Sequence, residues 1–447
     1  MSPRGAAATE GSAAWPAPRL ALFWGENGAV DRSGVLGAAL SLAGRLPEAG
    51  FAVNLAASRR GFLTGFLAAL ARGQTTLLPT SRVPGEVARL RARFPGSYPL
   101  VEAADADAFP DAVVLPEAAG GGAEAPFPWP EPRHVAFVAA TSGTTGEAGL
   151  HPKRWGSLVR GAGLAARRFG LGPGLGIVAT VPPQHMYGLE TSIMAPLAAG
   201  CSVHAGRPLF PQDVADALQE TRTGRRVLVT TPIHLQGFVA ADVSWPSVER
   251  VVSATAPLAP GLAARAEALF AAPVHEIYGC TEGGSLASRR TVEGDAWTLY
   301  DGVRLERDGD RPVFSGGHLD GPTPVADVLE GLGEGHFRLV GRHADQVEVA
   351  GKRASLADLN RRLLSIEGVL DGVFLMAPAA GKGPRRLAAL YVGDGIAPRE
   401  LRARLALEID PAFLPRPLRR VARLPRNELG KLPKQALLRL LAGEAPP

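Results

Sequence analysis

Val135-Ala-Phe-Val-Ala-Ala140 is an apolar run that empties directly into Thr141-Ser142-Gly143-Thr144-Thr145-Gly146. A short continuous apolar run bounded by such residues reads as a buried strand of a parallel sheet. Hydroxyls and glycines behind a strand gather backbone N–H and side-chain O–H groups around one small volume, as a polyphosphate requires. The same composition also makes ordinary turns, in which glycine supplies positive φ. Downstream stands Lys153, in His151-Pro-Lys-Arg154, a compact and rotatable charge able to reach back to a phosphate. The chain has five lysines (153, 352, 382, 431 and 434) against 43 arginines, and Lys153 and Lys431 fall where glycine and proline predict loops.

Outward from this stretch, length and composition set the frame. At 447 residues the chain exceeds one compact core and suggests two or three units. Its formal charge is +5, but the arginines are scattered among acids without a long basic block or interleaved aromatics, so nucleic acid is not expected as a partner. Cys201 and Cys280 lie far apart without Cys/His ligand spacing, which points away from a disulfide framework or a zinc site and fits a reducing cytoplasm. Residues 1–19 lack the pattern of a signal peptide and read as a loose tail. No apolar run is long enough to span a bilayer.

The expected fold class is α/β: a large N-terminal part of layered α/β subdomains, residues 20–342, and a small C-terminal α+β domain, residues 343–447. From Leu20 to Glu117, short strands (Leu20 to Trp24, Thr76 to Leu78) alternate with helical patterns (Val35 to Leu46, Arg60 to Ala71), as in a parallel layer. The Gly/Ala/Pro stretch from Ala118 to Pro132 reads as a linker. A helix from Ser157 to Phe169 and strands near 177–181, 203, 226–230, 248–252 and 275–278 predict a second α/β layer. The C-terminal texture predicts strands at 346–349, 372–376, 387–392 and 420–424. It also predicts a helix at 398–408 and one from Ser355, capped in the Ser-x-x-Asp manner by Ser355 and Asp358.

Three further constellations accompany the Thr/Ser/Gly run. Tyr278-Gly-Cys-Thr-Glu282 ends a predicted strand and offers an aromatic for a base, a hydroxyl for phosphate and a carboxylate for Mg²⁺, or equally a turn with a core tyrosine and a surface acid. Asp327, before Gly335-His-Phe-Arg-Leu-Val-Gly-Arg342, is able to take ribose hydroxyls or to serve as a turn residue. Leu424-Pro-Arg-Asn-Glu-Leu-Gly-Lys431 projects a mobile charge from a loop, or is a solvated basic loop. Neither Gly161-x-Gly163-x-x-Ala166 nor Gly170 to Gly176 follows a strand, so no dinucleotide fingerprint is present; Gly-x-x-x-x-Gly-Lys and Gly-x-Ser-x-Gly are absent too.

The order of these motifs resembles the adenylate-forming family of acyl- and aryl-CoA synthetases, peptide-synthetase adenylation domains and luciferases, over about residues 135 to 440. The resemblance implies that Thr141, Ser142, Gly143, Thr144, Thr145 and Gly146 hold the β- and γ-phosphates of ATP, with Lys153 as the basic residue. Tyr278 then packs on adenine, Thr281 contacts the α-phosphate, Glu282 binds Mg²⁺, and Asp327 with Arg342 takes the ribose. Lys431 becomes the catalytic lysine of a swinging small domain, and His185, in Pro182-Pro-Gln-His-Met-Tyr-Gly188, lies beside the acyl pocket. The implied reaction makes an acyl-adenylate from a small carboxylic acid and passes the acyl group to a thiol, of CoA or of an acyl carrier protein's phosphopantetheine.

Four features depart from the family pattern. Lys153 stands four positions later than in Thr-Gly-x-Pro-Lys, which reads as a lengthened loop; Ser253-Ala-Thr-Ala-Pro-Leu258 replaces a Gly-Gly pair; Ala344 takes a hinge position; and the region before Thr141 is short. The first and last look similar to stand-alone ligases of aryl-polyene pathways, which implies a hydroxybenzoate or hydroxycinnamate substrate. A medium- or long-chain fatty acyl ligase and a non-catalytic nucleotide- or acyl-binding relative are the alternatives.

Overall fold

The computed structural model describes residues 21–25, 28–79, 81–117, 126–141, 149–221, 224–309, 311–342, 346–349, 352–377, 386–426 and 432–444. Six strands of its larger sheet run parallel in the order Val274–Cys280, Arg250–Ser253, Arg225–Thr230, Leu175–Ala179, Ser202–His204 and Ala21–Trp24. The cause is composition: aliphatic, largely β-branched runs stack where both sheet faces are covered. Alternation divides them between two cores. Ile177, Val227, Val229 and Val252 point into the core shared with the N-terminal part. Val178, Leu228 and Val251 point to the helices Pro211–Gln219, Pro232–Ala240 and Pro260–Phe270.

Beyond Val274–Cys280 the sheet continues through antiparallel strands, Gly284–Arg290, Ala296–Leu299, His336–Arg342 and Asp327–Gly333. A second sheet has the order Val113–Val114, Tyr98–Val101, Phe51–Asn54, Thr75–Leu78, Val135–Thr141 and Gly149–Arg154, parallel except for its last hairpin. In the C-terminal region, Val369–Ala377, Arg386–Gly393 and Leu418–Arg420 form a small sheet. Phe374 and Tyr391 pack on the helices Leu356–Ser365 and Pro398–Glu408, while Val373, Leu375 and Leu390 pack on Lys434–Ala442. The expected class, layered α/β followed by small α+β, is the one observed.

Several local expectations are corrected. Ala21–Trp24 joins the larger sheet beside Ser202–His204 instead of the first layer, since parallel pairing is long-range and periodicity does not choose the partner. The first helix begins at Arg32, not Val35, because Asp31 caps it through the amide of Gly34 at 2.8 Å. The strand expected at 420–424 is Leu418–Arg420. Ser355 does cap its helix, accepting from the Ala357 amide, but Asp358 turns to Arg362 at 3.0 Å in place of closing a capping box. The 118–125 part of the expected linker lies outside the described residues.

Phe337 is fully buried where the antiparallel strands meet Tyr278, Trp297 and Phe314. Phe337→Ala is expected to destabilise by about 3–5 kcal/mol, seen as a large fall in the thermal unfolding midpoint. An unchanged midpoint contradicts this packing.

Candidate active site

Ligands of open α/β sheets bind where the chain leaves the carboxyl ends of the parallel strands. Here that edge carries Thr180, Thr230, Ser253 and Cys280 on four neighbouring strands or just past them. The Thr180 hydroxyl lies 3.0 Å from that of Thr230 and 2.7 Å from Nδ1 of His234, while the Tyr187 hydroxyl donates to the carbonyls of Thr230 and Val252. Burial, aided by the Arg207 charge, pushes the His234 imidazole down to about 4, so it is neutral near pH 7. His185 caps the short helix Met186–Leu189 at the same edge. Its segment is tied down by Arg59, whose guanidinium donates to the carbonyls of Ala179, Val181 and Gly206. Gly188 is required there, because a Cβ would collide with the Pro182 carbonyl.

The turn after Val274–Cys280 presents the second group. Tyr278 is 8% exposed, with its ring against Trp297, Phe314 and Phe337 and its hydroxyl donating to Asp327 Oδ2 at 2.7 Å. The structure thus brings Tyr278 and Asp327 together, in a core setting that leaves a base only a small surface of the ring. Arg342 sits opposite Asp327 in the strand pair. Glu282 is half exposed, and its Oε1 lies 3.7 Å from Nε2 of His151, which is itself 3.0 Å from the Thr141 hydroxyl. His151 therefore bridges the start of the Thr/Ser/Gly run and the acidic turn.

Lys153 is not in a lengthened loop. It lies within the strand Gly149–Arg154, paired opposite Phe137, and the helix Trp155–Arg168 follows at once. The position three after Gly146 is Gly149, the first residue of that strand, and a Cβ there would press on the Thr141 hydroxyl and His151. Lys153 is 6% exposed, and its ammonium donates to the Glu282 backbone carbonyl. Burial holds its pKa below the usual lysine value, against the pull of Glu190, Cys280, Glu282 and Asp320.

Glu190 escaped the sequence reading. It opens the π-helical turn Glu190–Met194, is buried, and accepts from the amide and hydroxyl of Ser285 at 3.0 and 2.6 Å. Burial raises its carboxyl pKa, with Ser285 and Lys153 opposing. A lone acid inside Gly-Leu-Glu-Thr-Ser-Ile-Met was the available signal. The Ser253 to Leu258 segment keeps a left-handed residue without a glycine: Thr255 has φ +80°. For a β-branched residue this costs roughly 1–2 kcal/mol. Among the described residues the buried hydroxyls of Ser253 and Thr255 have no hydrogen-bond partner, which in a native core asks for a further partner such as a ligand or water.

Ser142 to Gly146, Ala344 and Lys431 lie outside the described residues, as does the side chain of Arg342. Among the described residues no cluster of three His, Cys, Asp or Glu is arranged for a metal, and no helix is long and apolar enough to cross a membrane.

The family model of the AMP-binding enzymes matches residues 62–311, and the chain belongs to that family. It is 30% identical to the 4-coumarate–CoA ligase of Rhodobacter capsulatus over 301 residues, 66% of this chain and 74% of that one. It is 28% identical to the probable 2-succinylbenzoate–CoA ligase of Mycobacterium tuberculosis over 331 residues, 70% and 86% of the two chains. Among solved structures, ATP-bound MatB from Rhodopseudomonas palustris shares the fold with a TM-score of 0.80 at 18% identity, over 95% of this chain and 96% of that one. The amide bond synthetase McbA from Marinactinospora thermotolerans does so with 0.77 at 21%, over 94% and 96%.

Tyr278→Phe removes the donor to a buried carboxylate and is expected to cost about 1.5–3 kcal/mol, the range for hydrogen bonds to charged groups. Chemical denaturation of the two proteins checks this; equal stabilities would contradict the Tyr278 to Asp327 bond.

Proposed function

We propose that this AMP-forming acid:thiol ligase activates an aromatic carboxylic acid of the hydroxycinnamate or hydroxybenzoate type, and that the strand edge described above is where it does so. The observation that carries the reading is the pair of buried hydroxyls, Ser253 and Thr255, that find no hydrogen-bond partner among the described residues, one strand away from the Tyr278 to Glu282 turn. Buried hydroxyls that no described protein group satisfies, at the ligand-binding edge of a parallel sheet, fit a site built for a polar heterocycle such as adenine. The relatives favour an aryl acid, since three of them are 4-coumarate–CoA ligases. A sulfoacetate–CoA ligase is also among them, so the acid is a proposal on its own.

In this reading the carboxylate oxygen attacks the α-phosphorus of ATP, forming the acyl–O–P bond as the bond to pyrophosphate breaks. A thiolate then attacks the acyl carbon and AMP departs. Thr141 to Gly146 grip the leaving pyrophosphate, Thr281 meets the α-phosphate, and Asp327 with Arg342 orients the ribose. His185 lines the acid's approach. Glu282, a half-exposed carboxylate beside the phosphate-facing strand, suits Mg²⁺, which takes one or two carboxylates and completes its shell with phosphate oxygens and water. Bound there, the ion neutralises phosphate charge. Residues 343–447 act as the mobile small domain that delivers Lys431 for adenylation and withdraws it for thiol transfer.

Both acceptors suit this scheme, CoA and a carrier-protein phosphopantetheine; peptide-synthetase relatives match a quarter to a third of the chain. Cys201 and Cys280 are free thiols, in keeping with a proposed cytoplasmic setting. Mass spectrometry after incubation with ATP, Mg²⁺, an aryl-acid panel and either CoA or a holo carrier protein tests the proposal. An aroyl or cinnamoyl thioester with AMP is the expected product, and fatty acyl thioesters alone would overturn the aryl assignment.

Lys431→Ala is expected to lower adenylation on the order of a hundred- to thousand-fold, as when one preorganised charge donor is lost. Acid-dependent pyrophosphate exchange measures it; exchange at the parent rate would remove Lys431 from the reaction.

A further inference from the structure

We propose that Lys153 and Glu190 form a buried brace under the Thr281–Gly284 turn and act as positioning residues that hold Glu282 and Thr281 toward Mg²⁺ and ATP. The proposal rests on the reading that this turn faces the nucleotide.

The geometry is a two-point clamp. Lys153 grips the Glu282 carbonyl from the strand Gly149–Arg154. Glu190 grips the amide and hydroxyl of Ser285 from the π-helical turn. Between the two grips lie Gly283 and Gly284. The Gly283 amide donates to Cys280 Sγ at 3.2 Å and its carbonyl meets Nε2 of His318 at 2.9 Å. Gly284 has φ +74°, and a Cβ on it would strike the Glu190 carboxylate, so glycine is what lets that carboxylate reach the turn. The backbone is thereby held at Glu282 itself and again three residues on, at Ser285, and the acid side chain is left half exposed at the tip.

The charges give the arrangement its meaning. A lysine and a glutamate, both more than nine-tenths buried, lose hydration that a pair of well-packed apolar residues would not lose. They are electrostatic neighbours, each easing the burial of the other. Such a pair is a poor source of stability, and its best-supported use is to specify one arrangement over others. On the same strand face, two residues from Lys153, His151 stands 3.7 Å from the Glu282 carboxylate. One strand face therefore contacts both the backbone and the side chain of Glu282.

The test is a double-mutant cycle of Lys153→Met and Glu190→Gln in the full-length protein, reading Mg²⁺·ATP binding by calorimetry without acid, and the KM values of Mg²⁺·ATP and of acid in pyrophosphate exchange. Each single variant is expected to weaken Mg²⁺·ATP by about 10- to 100-fold, the usual loss when a partner behind a metal ligand is removed. The KM for the acid is expected to change by less than about twofold, because a variant that loses only nucleotide binding leaves the acid's own binding intact. The double variant should lose less than the product of the singles, because both residues hold one short turn and releasing either grip already frees it. Should Lys153→Met fail to fold, Glu190→Gln and the double variant carry the test. Unchanged Mg²⁺·ATP affinity in folded variants, a matching loss in the acid's KM, or losses that multiply would overturn the brace. A parent protein that binds no Mg²⁺·ATP would instead overturn the nucleotide reading of the turn, and the brace with it.

Discussion

The hairpin of Val135–Thr141 and Gly149–Arg154 pairs Thr141 with Gly149 and Phe137 with Lys153, and the site's arrangement follows from that register. Side chains alternate faces along a strand, so a slip of one residue would turn His151 and Lys153 away from the acidic turn and present Pro152 and Arg154 in their place. The register is secured by burial: Ala136 and Phe137 are fully packed against the first core, and Trp155, directly after the hairpin, is buried too. Hydrophobic burial in one strand thereby sets where two cationic or polar side chains of the next strand meet Glu282.

A second fixed point lies across the edge. Arg59 is wholly buried, and three carbonyl oxygens from two separate segments accept its guanidinium protons. Desolvation and the nearby Arg207 push its pKa down to about 9, still above neutral pH, so the charge is kept. It joins the start of the helix Arg59–Ala71 to the end of the strand Leu175–Ala179, from which the His185 segment departs. The Thr281–Gly284 turn and the His185 segment are thus each anchored by a buried cation, Lys153 on one side and Arg59 on the other.

Much of this was legible in the residues. The aliphatic runs at 177–181, 226–230 and 248–252 marked parallel strands because burial on both faces demands such composition, and Tyr278 to Glu282 was placed at a strand end. Gly149 and Pro152 misled, since glycine and proline normally signal a loop. The strand they sit in is the outermost of its sheet, where proline removes no needed ladder bond. Glu190 was hidden for another reason: its partner Ser285 is 95 residues away, and a π-helical turn has no sequence signature of its own. The stacking surface of Tyr278 was likewise a matter of tertiary packing, since Trp297, Phe314 and Phe337 come from three other strands.

The central claim is that the strand edge activates a carboxylic acid on ATP. Acid-dependent exchange of labelled pyrophosphate into ATP by the intact protein tests it most directly, across a panel of aryl, aliphatic and long-chain acids. The account predicts exchange that requires both Mg²⁺ and an acid and is fastest with hydroxycinnamates or hydroxybenzoates. No exchange with any acid, from a protein that still binds Mg²⁺·ATP, would contradict it and leave a nucleotide binder in place of a ligase.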